Sequence, residues 1–474
     1  MAWSHRLLSP REQILFRRLA VFAGAFTLEA AEAICAGHGL PAAAVLDAFA
    51  GLEDKSLLEV APSRGPRRFR LHEVVRQSAQ ARLSAAGETE WMQGRQADHA
   101  ARLVSARQDH LTGRQQAVWL EELAAEHDNL RAALAWSAAD PSRVGLGLQI
   151  VGGLARFWAT RGHFKEGRHW ARTLLAAAPA GPATPGQLAA LRTAANLAYY
   201  QADYPEARRL YAQALAAARV LDDRPAIATL LRGLGTVAHS QADCERAFAC
   251  YRESLALCRE LGDRAGEATA LANLGLAAWQ HGDAAAGRSQ LEACLALRQQ
   301  LGDEVGIAYV LHLLADIAWS EGRAVEAQSL NDESLAMRRR LGDKWGSAYS
   351  LDSLAVMARD QGERNQARAL FAESLALFHE LGSLHGLSDV LDHLAGLLAD
   401  EGQPDPAARL MAAAAALRQT IAAALPPNAQ TEHDRQRARI REQLGDERFR
   451  AAWTLGSAML TEQAVQFALR MLAG

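Results

Sequence analysis

The sequence predicts an all-α protein, most of it a superhelix of stacked helix pairs, preceded by a small domain of three helices and a β-hairpin. Three observations carry this. A triplet recurs at a fixed 40-residue interval through the second half of the chain. Between its recurrences, apolar and small residues fall into columns at helical spacing, and the first 85 residues differ in texture, helical at first and then partly alternating. The length of 474 residues also suits an extended array, because one hydrophobic core rarely serves more than ~300 residues.

At the N-terminus, helical patterns occupy residues 10–23, 27–36 and 41–54. Thr27 is placed to cap the second helix, and Glu29 adds negative charge near its start. The period then changes. Residues 56–60 (Ser-Leu-Leu-Glu-Val) and 68–71 (Arg-Phe-Arg-Leu) are short, partly alternating runs around the turn-rich stretch 61–66. Three helices and a hairpin are the layout of a winged helix, assigned to residues 1–85. Residues 86–180 form a helical connector that ends in a looser helix pair over 145–178, with Gly162-His163-Phe164 at its turn.

The array itself covers residues 181–420. Leu261-Gly262-Asp263 returns as Leu301-Gly302-Asp303 and Leu341-Gly342-Asp343, then degenerates to Leu381-Gly382-Ser383. A second marker keeps the same register at Gly282, Gly322, Gly362 and Gly402, where Ala202 and Ala242 stand earlier. Each 40-residue unit therefore has two turns, and six units fit. Leu234, Leu274, Leu314, Leu354 and Leu394 share a column, each followed by Gly or Ala. Small residues let paired helices approach, and leucines fill the space between pairs. One pair cannot bury its apolar stripe alone, so neighbours must stack. Residues 421–474, beyond Pro426-Pro427, are expected to cap the last unit.

Composition narrows the function classes. No apolar run reaches the ~18 residues that a membrane span needs. The polar start Met1-Ala2-Trp3-Ser4-His5-Arg6 lacks a secretory pattern, so a soluble, cytoplasmic protein is expected. A net charge of −3 argues against a dedicated nucleic-acid binder. Cys35, Cys244, Cys250, Cys258 and Cys294 have no metal-ligand spacing and read as small apolar fillers. No zinc, nucleophile-elbow or phosphate-loop motif occurs, so neither catalysis nor a cofactor is expected.

The 40-residue pattern resembles the tetratricopeptide repeat in a lengthened variant. Around it, residues 15–28 (Leu-Phe-Arg-Arg-Leu-Ala-Val-Phe-Ala-Gly-Ala-Phe-Thr-Leu), 54–58 and 69–76 resemble the winged-helix segment of bacterial STAND-type ATPase transcriptional regulators of the MalT-like kind. Trp119-Leu120 and residues 126–136 (Glu-His-Asp-Asn-Leu-Arg-Ala-Ala-Leu-Ala-Trp) resemble their connector, and residues 444–449 with 451–453 their usual ending. The resemblance implies the sensor half of a bacterial signalling or transcription regulator, encoded alone or truncated. Such proteins carry a nucleotide-binding domain upstream, so that domain is an expected partner in trans. The resemblance also places His72, in Leu71-His72-Glu73, where related ATPases sense ADP. The residues themselves read more simply as an ordinary histidine at a strand-to-helix junction.

Two surfaces remain. Aligned on the repeat, three columns of the first helices should face a concave groove. One holds Tyr199, His239, Trp279, Trp319 and Arg359; a second holds Arg192, Arg232 and His312; a third holds Tyr309 and Tyr349. Aromatic and arginine side chains give large contact area with few rotors, as binding hot spots require. Packing between adjacent helices explains the tryptophans equally well. The expected ligand is a protein or peptide segment, or a small polar effector. The alternative is a DNA-binding winged helix that grips phosphates with Arg64, Arg67, Arg68 and Arg70 on its wing. A solvated basic loop explains those four residues more simply.

Overall fold

The computed structural model describes residues 5–62, 65–107, 116–421 and 423–473. Among them are 24 α-helices and one two-stranded sheet. No helix among the described residues is long and apolar enough to cross a membrane. The chain divides into two compact units, Met1–Leu197 and Ala198–Gly474.

The first unit opens with α1 (Pro10–Arg18), α2 (Leu28–Cys35) and α3 (Val45–Asp54). Ser9 and Glu12 form a reciprocal capping box on α1, and the Thr27 hydroxyl accepts from the Ala30 N–H on α2. Strands β1 (Glu59–Ala61) and β2 (Arg68–Arg70) pair antiparallel, with Val60 opposite Phe69. Phe26 adds a single bridge to Phe69, so the chain before α2 is tied to the hairpin. The core behind this sheet is aromatic. Phe22 stacks on Phe26 at 4.4 Å, and Phe49 meets Phe69 edge-on at 4.7 Å.

Seven helices follow: α4 (Glu73–Ala85), α5 (Thr89–Arg107), α6 (Gln116–Ala125), α7 (His127–Ala138), α8 (Val144–Arg161), α9 (Phe164–Ala177) and α10 (Pro185–Tyr200). The most buried charge of this unit is Arg18, 0% exposed. Its guanidinium donates to the carbonyls of Cys35, Gly37 and His38, and Glu88 supplies the counter-charge at 2.7 Å.

In the second unit α11 (Tyr204–Val220) precedes five regular pairs. They are α12 and α13 (Arg224–Ser240, Cys244–Leu261), α14 and α15 (Arg264–Gln280, Ala284–Leu301), α16 and α17 (Glu304–Ser320, Ala324–Leu341), α18 and α19 (Lys344–Asp360, Arg364–Leu381), and α20 and α21 (Leu384–Asp400, Pro404–Thr420). The Leu-Gly-Asp triplet is a helix stop followed by a helix start. Gly262, Gly302, Gly342 and Gly382 end second helices in the left-handed region, and Asp263, Asp303, Asp343 and Ser383 cap the next first helices.

Inside the first four of these pairs a small polar residue fastens the two helices, whereas the fifth carries Ala414 at that position. Ser254, Cys294, Ser334 and Ser374 donate to the carbonyls of Ala228, Ala268, Ala308 and Ala348 at 2.7–3.0 Å. Between pairs, Gly266, Gly306, Gly346 and Gly386 admit Cys258, Arg298, Arg338 and Phe378 of the preceding second helix, which lie where a Cβ would project. First helices pack on the first helices of their neighbours more closely than second helices do, so they line the inside of the curve.

Three more helices complete the unit: α22 (Pro427–Leu444), α23 (Asp446–Ser457) and α24 (Thr461–Ala473). Helices α23 and α24 pack on α21, and α24 also on α19, covering the open end of the array. Arg368 holds α24 there by donating to the Met471 carbonyl at 2.7 Å. By contrast, α22 turns back over the inner face, a path that the sequence gives no sign of.

Candidate recognition surface on the concave face

The column read from the sequence as groove-facing is also a ladder between repeats. Tyr199 hydrogen-bonds Ser240. His239 meets Gln280 at 2.5 Å, the Trp279 indole donates to Ser320 at 3.4 Å, and the Trp319 indole donates to Asp360 at 3.2 Å. Arg359 binds Asp360 at 2.6 Å and approaches Asp400 at 4.0 Å. Apart from the Arg359–Asp360 pair, each of these contacts joins the end of one first helix to the end of the next, 41 residues on. The tryptophans also pack against core residues of their own repeats. These residues therefore stitch neighbouring repeats together while remaining only half-buried.

The second column is less accessible than its pattern suggests. His312 is 7% exposed and shares a hydrogen bond with Asn331 at 3.3 Å, while Asn331 donates to the Ser350 carbonyl. Burial, only partly opposed by Asp316, pushes the His312 pKa down. Arg232 is committed to Thr229 at 3.2 Å, with Ser254 and Cys258 a little further away. Arg192 lies in the first unit, half-buried on α10.

The third column opens the larger feature. Burial raises the Tyr309 phenol to about 12 and Tyr349 well above its ordinary value, with nearby Tyr199 adding to both. Tyr204 and Asp389 likewise influence each other. Residues 110 to 185 positions apart in sequence thus lie within electrostatic reach of one another on the inner, concave face. Its floor includes residues that the sequence reading passed over. Trp345 is 52% exposed and meets Tyr349 edge-on at 4.7 Å. One turn after His385 stands Asp389, bound to it at 3.0 Å, and His393 binds Asp352 at 2.9 Å. Burial opposes charge on His393, but Asp352 and Asp389 prevail and lift it to about 9. His385 and His393 are open to solvent while the array surrounds them, as the floor of a cleft is. The missed signal was the 40-residue column itself: Trp345 and His385 stand one turn before Tyr349 and Asp389.

The wing reading needs correction. Arg68 is 4% exposed, and its guanidinium lies 2.6 Å from Glu126, so it is not available to a phosphate. Arg67 pairs with Glu53 and lies over the Phe69 ring, and Arg70 makes a two-point contact with Glu59 at 3.0 and 3.1 Å. Arg64 lies outside the described residues. His72 occupies the N-cap position of α4, largely exposed, with Glu59 3.4 Å away. Among the described residues no group of three or more His, Cys, Asp or Glu side chains is arranged to hold a metal ion.

Helix pairs of 40 residues, a small-residue seam and an inward-facing set of first helices define a tetratricopeptide-type array. The chain carries tetratricopeptide repeats: residues 186–260, 227–300 and 347–381 match family models described as Tetratricopeptide repeat. Over 173 residues it is 38% identical to a Mycobacterium tuberculosis protein named as a candidate HTH-type transcriptional regulator. That match covers 36% of this chain and 19% of the relative, so the chain spans about a fifth of that protein's length. An uncharacterized protein of the same species is 42% identical over 98 residues, 20% of this chain and 25% of that protein.

Among solved structures, a STAND protein with a tetratricopeptide repeat sensor from Pyrococcus horikoshii is similar with a TM-score of 0.56 at 14% identity. It covers 99% of this chain and 66% of its own. A Rap protein complexed with Competence and Sporulation Factor is similar with a TM-score of 0.53 at 12% identity, over 80% of this chain and 99% of that one. At these identities the likeness is one of fold.

Proposed function

We propose that the concave face receives a peptide or protein segment, or a small polar effector, and that the chain is the receiving part of a bacterial regulator of transcription. The observation that carries this reading is the cleft floor. It presents an exposed Trp345, the phenols of Tyr309 and Tyr349, and the hydrogen-bonded pairs His385–Asp389 and His393–Asp352 on one inner face. Such a floor offers aromatic area together with fixed charge, the combination that anchors a polar ligand in a groove. The repeat fold, the regulator-like names of the mycobacterial relatives and the sensor of the Pyrococcus protein support the same reading.

The test is affinity capture from source-cell lysate with wild type, Trp345→Ala and Tyr309→Phe/Tyr349→Phe, each first confirmed as folded by circular dichroism. A partner or effector held by wild type and released by Trp345→Ala places recognition on this floor. One held equally by all three proteins puts recognition elsewhere and ends the proposal.

A further inference from the structure

The concave face already has an occupant. Helix α22 touches both α14 and α20, first helices three repeats apart, and just before it the Ala424 N–H donates to the Ser240 carbonyl at 3.3 Å. Its 18 residues span ~27 Å at the usual helical rise, so it crosses the inside of the curve as a strut. Only a thin stripe faces the array: Ala429, His433, Gln436, Ile440 and Leu444, at spacings of three and four. Of these only Ile440 and Leu444, in the last two turns, are fully buried.

The contact is imperfectly made. His433 sits 3.2 Å from Asp392, and Arg439 donates to Asp400 at 2.5 Å from a largely exposed position. The Gln436 amide lies over Gly396, where a Cβ would stand 3.2 Å from its nitrogen and 2.6 Å from Arg359 Nη1. Beneath the strut, Asp392 Oδ1 and Arg359 Nη1 are buried without a hydrogen bond. Buried polar atoms left unpaired weaken an interface, and exposed ion pairs add little to it. In the first three turns of α22 the facing stripe offers only Ala429, His433 and Gln436, and the apolar anchor lies at the far end.

We propose that α22 is a displaceable intramolecular ligand, and that the surface under it, Asp392, Gly396 and Asp400, accepts a cationic amphipathic helix from a partner protein in its place. This rests on the reading of the concave face as the receiving surface and adds the chemistry of what it receives. The strut shows that chemistry directly: a His or Arg facing each of two carboxylates, a slim polar side chain over a glycine, and two aliphatic residues one turn apart. Displacement frees the first half of α22 while Ile440 and Leu444 can remain docked.

The test uses the full chain and a fluorescently labelled synthetic peptide of residues 427–444. In His433→Ala/Arg439→Ala, amide exchange over 427–438 should rise at least tenfold while α14 and α20 keep their protection. The peptide should bind that variant at least tenfold more tightly than wild type. Adding Asp392→Asn/Asp400→Asn should abolish the gain. Unchanged exchange over 427–438, equal peptide binding to wild type and variant, or binding indifferent to the two aspartates overturns the proposal. A lysate partner captured through Trp345 alongside an immobile α22 sinks the strut alone. A mobile, peptide-exchanging α22 with no dependence on Trp345 sinks the broader reading instead.

Discussion

Replacing Arg68 by Met separates the two roles that an arginine on a wing could have. Arg68 lies between the hairpin and the connector block, its Nη1 2.6 Å from Glu126 Oε1. The other Glu126 oxygen accepts from Asn129 Nδ2 at 2.7 Å. Asn129 in turn donates to the Ala25 carbonyl at 2.9 Å and accepts from the Gly24 N–H at 3.0 Å, so it ties the connector to the segment before α2. Burial pushes the Glu126 pKa up even with Arg68 and Asn129 opposing it, which marks a carboxylate that depends on its partners. Removing the guanidinium strands that charge, and breaking a buried pair in this way costs about 3–5 kcal/mol. Protonation of Glu126 caps the loss, so a value near 3 kcal/mol is expected at neutral pH and less in acid.

Amide exchange at Phe26 and Phe69, which exchange N–H···O bonds with each other, reports the local opening directly. A loss of about 3 kcal/mol corresponds to roughly 150-fold faster exchange there, at tenfold per 1.4 kcal/mol. The double variant Arg68→Met/Glu126→Met should recover most of the loss, because well-packed apolar side chains replace a buried pair at little cost. A single variant within 1 kcal/mol of wild type, or a double variant no better than the single, would refute the reasoning. If Arg68 instead gripped DNA, the single variant would lose salt-dependent duplex binding and keep its exchange rates.

Three further outcomes follow from the geometry. Gly386→Ala drives a Cβ to 2.3 Å from the fully buried Phe378 ring and should cost about 1–3 kcal/mol, read as a lowered thermal midpoint. Ala242 holds φ +59, where later repeats carry glycine, so Ala242→Gly should stabilise by up to about 1 kcal/mol, read in the same melting experiment. Burial disfavours the Glu88 carboxylate, but Arg17 and Arg18 outweigh it and lower its pKa from 4.5 to about 2. A lowered acid pKa gives stability that is complete above 4.5 and lost as pH falls toward 2. Exchange protection of α1 and α2 should therefore fail across that window, and Glu88→Gln should flatten the dependence.

What the sequence made legible was whatever local chemistry decides. The Leu-Gly-Asp triplets mark left-handed helix ends and aspartate caps wherever they occur, so they fix the repeat without any knowledge of tertiary structure. Arg68 failed because its partner Glu126 stands 58 residues away at the N-cap of α7, and an arginine in a hairpin reads as solvated until that contact is known. His385, Asp389 and His393 failed differently. Each is an ordinary polar residue on a helix, and only the curvature of the array brings Asp389 within electrostatic reach of Tyr204. The path of α22 gave no signal because its stripe of two aliphatics and three polar or small residues is too weak to declare a buried face.

The ladder and the strut bear on each other. Rungs run from Ser240 through Trp279, Trp319 and Arg359 to Asp400, and each sets the spacing between two adjacent first helices. The strut and the segment leading into it meet this ladder near both ends, at the Ser240 carbonyl through Ala424 and at Asp400 through Arg439. Ladder and strut together close a ring, and a ring fixes curvature where an open ladder only limits it. In a solenoid each repeat contacts only its neighbours, so a small change per interface accumulates along the array. The side chains that stitch the repeats and the helix that spans them are thus one mechanical element.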